Sequence, residues 1–306
     1  MTDQAGLLSK NWDAHAKEWI DWVRAPDHQD SYLRFHRDSF LALIPPLKPD
    51  QVIIDVGCGE GRVARDLRLL DRKVLGVDLS FTMCQAAASH PDPSAAVQAN
   101  AATLPLADNS VDCAVAFMSL QDIDDMTGAV NEIARVLKDG ASLAMAIVHP
   151  MYSGGRFAAP EDNGRNSFVM KRTYFQPEVL VSTDCHGDLS VTLFREHRPL
   201  QLYMNALIKA GFHVEELLEL SDEDETRDRD GIPMFLDLRA TRVPRSPQPA
   251  PIRDLAHRRP RRKTRGLAAR RIPASVSSRL TVVGLWSALL PGLLAIMSQA
   301  WRERSR

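Results

Sequence analysis

The chain of 306 residues is long enough for one large domain or two small ones, and its 44% hydrophobic and 25% charged residues are ordinary for a folded globular protein. Its four cysteines are far apart and form no CxxC or Cys/His cluster, which argues against a disulfide scaffold and a structural zinc site. The first residues contain no basic stretch followed by an apolar one, so we expect no signal peptide and a reducing, cytoplasmic setting.

The net charge of −1 conceals an acidic body and a basic tail. Residues 1–243 carry 24 basic and 37 acidic side chains, whereas residues 244–306 carry 14 basic and two acidic ones. An acidic surface repels a phosphate backbone, so we expect no nucleic-acid partner for the body. The sequence does not indicate an oligomeric state.

Residues 1–48 are predicted to be mostly helical and to form a lid over a pocket. Their large apolar residues, among them Trp12, Trp19 and Tyr32, are only loosely periodic. These aromatic side chains either line the pocket or belong to the core.

From about residue 51 short apolar runs alternate with amphipathic stretches. The predicted order is strand 52–54, helix 62–70, strand 74–77, helix 81–89, strand 113–117, helix 129–137 and strand 143–148. Apolar strands that alternate with helices are typical of a parallel sheet covered on both faces, which is an α/β fold.

Residues 151–198 interrupt this alternation and are predicted to be an insertion on the substrate side, with strand-like stretches at 167–175 and 189–194. A helix over 200–210 follows and ends at Gly211, a common C-terminal stop. The runs 212–218 and 234–238 then predict a closing strand pair. The main domain is therefore expected to span residues 49–243.

The tail is predicted to have two parts. Residues 244–279 are rich in proline and arginine and are expected to be a disordered basic linker, although a run such as 258–265 also suits anionic lipid or nucleic acid. Residues 280–301 contain no charge, and a helix of that length would span roughly 33 Å, enough for a bilayer core. Three interpretations stay open for this apolar segment: a membrane helix, a segment packed on the body, or a non-functional extension.

The strongest chemical signal is the junction VIIDVGCGEGRVARDL. A strand leads into a turn in which Gly57, Gly59 and Gly61 are spaced as G-x-G-x-G, and a helix follows. Glycine lets a ligand approach the backbone closely, and the free N–H groups at a helix start favour negative charge. Asp78, at the end of the next strand, supplies a carboxylate suited to two ribose hydroxyls.

The sequence DVGCGEG followed by GVDLS resembles the first two motifs of the class I S-adenosylmethionine-dependent methyltransferase family. The block 197–200 (HRPL), with Tyr203 and residues 210–212 (AGF), resembles the bacterial small-molecule methyltransferases of that family. Residues 99–112 (ANAATLPLADNSVD) resemble the third motif of that family, and residues 132–140 (EIARVLKDG) resemble the fourth. The resemblance covers roughly residues 10–242. It implies a Rossmann-like, mostly parallel sheet with a closing antiparallel strand, a methyltransferase activity and S-adenosyl-L-methionine as the cofactor.

The resemblance also implies which residues meet the cofactor. They are Asp55, Gly57, Cys58, Gly59, Gly61, Asp78, Leu79, Asn100, Ala101 and Met118. Asn100 departs from the family's usual aspartate, and its amide oxygen is expected to accept the adenine amino group more weakly. Asp139-Gly140 replaces Pro-Gly-Gly, a turn change that we expect to be neutral.

Several of these residues have a plainer interpretation. The three glycines suit any nucleotide-binding fold, and Asp78 could be a solvated loop acid. Asp55 is expected to cap the glycine turn through backbone N–H bonds while lying beside the cofactor. Cys58 is interpreted as a small turn residue and not as a nucleophile, because no His or Lys is tied to it in the sequence.

The loops after two further strands are expected to lie near the transferred methyl group, since ligands of open α/β sheets bind outside the carboxyl ends of the strands. His149 is the first candidate for a base by its ordinary pKa, with Asp122 as the second, although a His-Pro at a strand end is as often a packed turn. Gln121, Tyr152 and Tyr32 are predicted to lie on the substrate side.

The predicted acceptor is a small molecule, methylated on oxygen, nitrogen or carbon. No Asn/Asp-Pro-Pro-Tyr/Phe motif, which many enzymes that methylate amide or base nitrogens contain, follows the strand at 113–117. The alternative is a protein that binds the cofactor without transferring methyl, as a regulator or a cofactor-templated cyclase. Intact glycines and Asp78 do not separate the two.

Overall fold

The computed structural model describes residues 6–25, 30, 32–158, 167–221, 231–244 and 282–283. Its helices are α1 (Leu7–Ala14), α2 (Ala16–Arg24), α3 (Arg37–Ala42), α4 (Arg62–Leu69), α5 (Phe81–Ser89), α6 (Met126–Val136), α7 (Pro150–Gly154) and α8 (Leu200–Ala210). Its strands are β1 (Val52–Val56), β2 (Lys73–Asp78), β3 (Ala96–Gln98), β4 (Val111–Phe117), β5 (Leu137–Val148), β6 (Gly155–Phe157), β7 (Phe168–Met170), β8 (Glu178–His186), β9 (Leu189–His197), β10 (Phe212–Leu220), β11 (Phe235–Arg242) and β12 (Val282–Val283).

The main sheet has the strand order β10-β11-β5-β4-β1-β2-β3-β12. The strands from β5 to β3 run parallel, whereas β11 pairs with β5 and β10 pairs with β11 in antiparallel fashion. The predicted fold class, a mostly parallel Rossmann-like sheet with a closing antiparallel strand, is confirmed. This order brings the carboxyl ends of β1, β2, β4 and β5 to one edge of the sheet.

The two faces of the sheet bury different sets of side chains because alternate residues of a strand point to opposite faces. On one face Ile53 and Val115 pack with residues of α3 and α4. On the other face Ile54 and Ala114 pack with residues of α6 and α8. Both faces are therefore covered, which explains why the central strands read as continuous apolar runs.

The N-terminal helices are tied to the body by hydrogen bonds that cross long stretches of sequence. The Asp124 carboxylate accepts from the backbone N–H groups of Leu8 and Ser9, each at 3.1 Å. Ser80 Oγ donates to Asp13 Oδ1 across 2.7 Å. The N-terminal segment is thus held over the carboxyl edge of the sheet.

Between β5 and α8 the chain forms two antiparallel hairpins, β6–β7 and β8–β9. The strand predicted over 167–175 is restricted to Phe168–Met170, and β8 was not predicted. All β8 side chains are exposed or half-buried, and its apolar run is only Val179-Leu180-Val181, shorter than the about four to eight residues that indicate a buried strand.

The last strand of the main sheet was expected to end near residue 243. The short strand β12 instead pairs antiparallel with β3 at the far edge. The rest of the predicted linker and apolar segment, apart from residue 244, lies outside the described residues. Among the helices that the model describes, none is long and apolar enough to cross a membrane.

Candidate active site

A cavity of about 1940 Å³ lies at the carboxyl edge of the sheet, between the N-terminal helices and the β8–β9 hairpin. Pockets for a single drug-sized ligand are typically about 300–1,000 Å³. The volume is therefore sufficient for two ligands side by side. One part is lined by the glycine turn and the ends of β1 and β2, and the other by the hairpins.

The glycine turn after β1 requires glycine at two positions for different reasons. Gly57 has φ +72°, and a Cβ there would lie 2.4 Å from the Cβ of Ser119. Gly59 has φ +54°, but a Cβ there would meet only Trp19 Nε1, at 3.7 Å. Gly57 is thus required by packing within the protein, whereas Gly59 leaves space in front of the backbone for a ligand.

Asp78 fixes this turn from the end of β2. Its Oδ2 accepts from the backbone N–H of Gly59 and its Oδ1 from that of Ser80, each at 2.9 Å. Burial raises the pKa of the Asp78 carboxyl, while these N–H groups stabilise its ionised form. Asp78 lines the cavity as predicted for a ribose-binding acid, but it also holds the loop.

The prediction that Asp55 caps the glycine turn is wrong. Its side chain is buried, and neither carboxyl oxygen has a hydrogen-bond partner in the described part of the chain. The N–H of Gly57 instead donates to the carbonyl of Val77. Burial raises the pKa of Asp55 to about 7, with a further rise from nearby Asp78. Asp55 lines the cavity as an unpartnered acid.

Three predicted cofactor residues follow β2 and β3 and also line the cavity: Leu79, Asn100 and Ala101. The Asn100 Oδ1 accepts from the Ala102 N–H at 2.8 Å and caps a short helical turn. One lone pair of that oxygen is therefore in use, which leaves the other for a donor such as an adenine amino group.

Cys58 and Met118 line the same part of the cavity. Burial raises the pKa of the Cys58 thiol well above its ordinary value, so the reactive thiolate is disfavoured. Its sulfur packs over Gly76, where a Cβ would lie only 2.6 Å away. Met118 has φ +54°, an uncommon backbone conformation for a residue with a side chain.

Two tryptophans of the N-terminal helices form one wall of the cavity. Trp12 and Trp19 meet edge to face with ring centroids 5.9 Å apart. Trp12 Nε1 donates to the carbonyl of Phe194 in β9, which joins this wall to the hairpin. Of the two interpretations of these aromatic residues, the pocket wall is the one that the geometry supports.

Gln121 was predicted to contact the substrate, but its side chain is engaged with the backbone. It is buried, its Oε1 accepts from the Val148 N–H at 2.9 Å, and its Nε2 donates to the Met118 carbonyl at 3.1 Å. Gln121 thus joins the ends of β4 and β5. This positions the turn that carries Asp122.

Asp122 lines the cavity, and its carboxyl makes no hydrogen bond within the described part of the chain; its Oδ1 is fully buried. Burial raises its pKa well above the ordinary value, and the guanidinium groups of Arg195 and Arg198 oppose that rise. The Arg198 guanidinium donates to the carbonyls of Leu120 and Ile123 and so holds the turn.

The geometry argues against His149 as a base. Its Nδ1 accepts from the Met151 N–H at 3.0 Å, so the ring proton is on Nε2, which donates to Glu219 Oε1 at 2.9 Å. Both nitrogens are therefore occupied, and His149 is not among the cavity-lining residues. Burial lowers its pKa, which keeps the ring neutral. The alternative of a packed turn describes this arrangement.

The two tyrosines predicted on the substrate side are separated by the fold. Tyr152 lines the cavity, with its ring stacked 6.4 Å from that of Phe168. Tyr32 does not line it: its ring is buried against Phe117, and its hydroxyl donates to Asp66 at 2.6 Å. The prediction for Tyr32 is therefore wrong, because the loose apolar pattern of residues 1–48 did not separate core from pocket.

Ser119 and Arg195 are among the cavity residues that sequence reasoning missed. Ser119 supports Gly57 and donates to the Val56 carbonyl at 2.6 Å. Arg195, on β9 opposite Leu180 of β8, lines the cavity and donates to Ser182 Oγ at 3.0 Å. A charged residue within an apolar strand run was the available signal for Arg195.

The residues on the β1–β2 side fit an adenosyl cofactor that carries positive charge. Gly59 leaves open space, Asp78 ends β2 beside it, and Asp55 is a buried acid with no partner in the described residues. An unpartnered buried carboxyl is costly unless a ligand supplies a cation or a donor. This donor set suits the ribose and the charged groups of S-adenosylmethionine.

A family model described as "Methyltransferase domain" matches residues 54–145. The malonyl-[acyl-carrier protein] O-methyltransferase of Pectobacterium atrosepticum is 32% identical over 143 residues, which cover 46% of this chain and 56% of the relative. The 2-phytyl-1,4-naphtoquinone methyltransferase of Trichormus variabilis is 34% identical over 113 residues, which cover 33% of this chain and 48% of the relative. The chain spans about half the length of these curated relatives.

A crystal structure of an S-adenosylmethionine-dependent methyltransferase from Mesorhizobium loti has a TM-score of 0.54 at 25% identity. The match covers 67% of this chain and 96% of that one. Taken with the sheet order and the glycine turn, these similarities show a methyltransferase domain over residues 54–145 within the fold of class I S-adenosylmethionine-dependent methyltransferases.

Proposed function

We propose that this protein transfers the methyl group of S-adenosylmethionine to a small-molecule acceptor. The observation that carries the proposal is the two-part cavity: the glycine turn with Asp55 and Asp78 on one side, and Asp122 among aromatic walls on the other. The cofactor supplies an electrophilic methyl group on a positively charged sulfur, which is a good leaving group.

The contribution of the protein is alignment in a site that excludes bulk water. The Trp12–Trp19 wall closes the cavity on one side, and Arg198 and Gln121 fix the turn that carries Asp122. The acceptor lone pair forms the new bond to the methyl carbon, the carbon–sulfur electron pair stays on sulfur, and the acceptor proton goes to Asp122. We prefer Asp122 to His149 as the base because Asp122 lines the cavity with no hydrogen-bonded partner.

A small acceptor is supported by the relatives, whose names include an O-methyltransferase and a naphtoquinone methyltransferase. The cavity agrees with this class, because Trp12, Tyr152 and the β8–β9 hairpin line a pocket with room for a small molecule beside the cofactor.

The direct test is incubation of the purified protein with labelled cofactor and fractionated metabolite extracts. Formation of S-adenosylhomocysteine together with a labelled product, followed by mass spectrometry, would establish methyl transfer. A product that changes structure without gaining the label would favour the cyclase alternative. Tight cofactor binding with neither outcome across all fractions would favour a regulator.

Attachment to a membrane through the predicted segment 280–301 is a separate proposal that rests on its uncharged sequence; because β12 takes Val282–Val283 into the sheet, the stretch left for a span is residues 284–301. The full-length protein would then pellet with membranes and resist carbonate extraction, whereas a chain ending at residue 243 would stay in the supernatant. Extraction by salt would point to the arginines of the tail, whose attraction is screened over about 8 Å at physiological ionic strength.

A further inference from the structure

The acceptor side of the cavity holds a cation that no acid of the described chain pairs with. Arg195 lies on β9, half-buried, and its single side-chain hydrogen bond is to the neutral hydroxyl of Ser182 at 3.0 Å. It forms no ion pair with any residue that the structure describes. A guanidinium with unused donors in a cavity is suited to an incoming anion.

Two other arginines near this point are engaged, which separates Arg195 from them. Arg198 donates to the backbone carbonyls of Leu120, Ile123 and Asp124 and pairs with Glu196. Arg172 pairs with Glu178 at 3.0 Å. Arg156 also lacks a described partner, but it is exposed on β6 at the outer part of the cavity.

Arg195 interacts electrostatically with Asp122 without contacting it. Its charge opposes the rise in the pKa of Asp122, so the two groups influence each other. They nevertheless form no ion pair and no hydrogen bond. The cavity thus presents an unpartnered acid and a cation held only by a hydroxyl, close enough for their charges to interact.

Apolar side chains share with Arg195 one face of the β8–β9 hairpin. Leu193, two residues before it on β9, points to the same face and lines the cavity, whereas Phe194 points to the other face and its carbonyl accepts from Trp12 Nε1 at 2.9 Å. Leu180 lies opposite Arg195 across the hairpin. A ligand that reaches the guanidinium would therefore place an apolar or aromatic body against these side chains.

We propose that the acceptor is an organic acid, aromatic or aliphatic, whose carboxylate binds Arg195 while its hydroxyl or amine meets Asp122. This inference rests on the proposed function, because it names the substrate class of that site. The planar guanidinium matches a carboxylate in two parallel hydrogen bonds, which a lysine cannot reproduce. Ser182 holds the Arg195 side chain in place before the ligand arrives.

The test measures binding, so it does not depend on turnover. The protein is first saturated with S-adenosylhomocysteine, which fills the cofactor side. 2-Hydroxybenzoate and 3-phenyllactate are then titrated by calorimetry beside their uncharged amides. The acids are expected to bind at least about tenfold more tightly than the amides, in line with charge-assisted hydrogen bonds.

Three variants test whether Arg195 causes the tighter binding of acids than of amides. Arg195→Gln should reduce the acid-to-amide ratio to below about threefold, and Arg195→Lys should retain part of it. Arg239→Gln, which removes an arginine paired with Glu215 outside the cavity, should keep the full ratio. Circular dichroism and the affinity for S-adenosylhomocysteine check that each variant is folded.

Equal binding of acids and amides, no measurable binding of either acid at millimolar concentration, or a preference that survives Arg195→Gln would each overturn the inference. Failure of the proposed function would look different. The protein would then not bind S-adenosylmethionine at all, a measurement made separately before any acid is added.

Discussion

The backbone N–H of Gly59 donates to the carboxylate of Asp78 across 2.9 Å, so the glycine turn and the acid that ends β2 are one unit. The second oxygen of Asp78 accepts from the N–H of Ser80, which begins α5. Asp78 therefore organises the loop that faces the ligand. The two motifs that the sequence presents 19 positions apart meet directly in the folded protein.

Replacing Asp78 by alanine should weaken S-adenosylmethionine binding by at least about tenfold. The variant loses the acceptor for the ribose hydroxyls and releases the N–H of Gly59, and each charge-assisted hydrogen bond contributes about 1.5–3 kcal/mol. Isothermal titration calorimetry measures the effect. The matched control is Asp50→Ala, which removes an exposed carboxylate from a distant turn. Unchanged binding by Asp78→Ala would remove this residue from the cofactor site.

The two glycines of the turn should respond differently to a side chain. Gly59→Val should abolish cofactor binding while the protein stays folded: a β-branched residue at φ +54° costs some stability, but a Cβ there meets only Trp19 Nε1, at 3.7 Å. Gly57→Ala should destabilise the fold itself, because its Cβ would lie 2.4 Å from that of Ser119 at a positive φ. Thermal unfolding and calorimetry separate the two outcomes. Equal loss of stability in both variants would contradict this division.

The cofactor side could be predicted from the sequence because its parts are local. Gly57, Gly59 and Gly61 follow one strand, and Asp78 ends the next, so strand order alone brings them together. The one error there was Asp55. Its carboxyl has no hydrogen-bond partner in the described residues because it is buried and because the N–H of Gly57 donates to the Val77 carbonyl instead.

The acceptor side could not be predicted in the same way because distant segments build it. Trp12, Asp122 and Arg195 come from three parts of the chain and meet only in the folded protein. His149 was chosen by its ordinary pKa, but hydrogen bonds to Met151 and Glu219 occupy its ring. Hydrophobic periodicity and composition do not reveal such contacts, and they did not reveal strand β8.

Replacing Asp122 by asparagine should lower turnover by about 10²–10⁴ and leave cofactor affinity nearly intact, if Asp122 takes the acceptor proton. The wild-type rate should also increase with pH beyond the ordinary range of an aspartate, since only the ionised carboxyl accepts a proton and burial raises its pKa. Steady-state kinetics across pH measures both. A pH profile that is flat from pH 5 to 9 would exclude Asp122 as the base.

Replacing His149 by alanine should change turnover by less than about threefold. The loss should appear in stability, by about 1 kcal/mol, because His149 caps α7 by accepting the Met151 N–H. Kinetics and thermal unfolding of the same preparation make the comparison. A fall of 10²–10⁴ in turnover with native cofactor affinity would restore His149 as the base.

Replacing Asp55 by asparagine should stabilise the ligand-free protein at high pH and weaken its binding of the cofactor. Burial and nearby Asp78 raise the pKa of Asp55 to about 7 in the folded protein, against about 3.9 in an unfolded chain. Between these values the native state binds more protons than the unfolded state, so the stability contributed by this group falls as pH increases. Above about pH 7 the buried carboxylate has no hydrogen-bond partner in the described chain, and the full cost remains.

The asparagine variant carries no charge at this position and escapes that cost. Its melting temperature should exceed that of the wild type by several degrees at pH 8, and the difference should shrink towards pH 5. Cofactor affinity should change in the opposite direction, because a positively charged ligand favours the ionised carboxyl of the wild type. Binding to the wild type near pH 7 should therefore release protons, which calorimetry in two buffers of different ionisation enthalpy detects. The variant should release fewer protons and bind at least about tenfold more weakly. A variant that is no more stable at pH 8 than at pH 5, relative to the wild type, would show that Asp55 is not a buried acid held for a ligand.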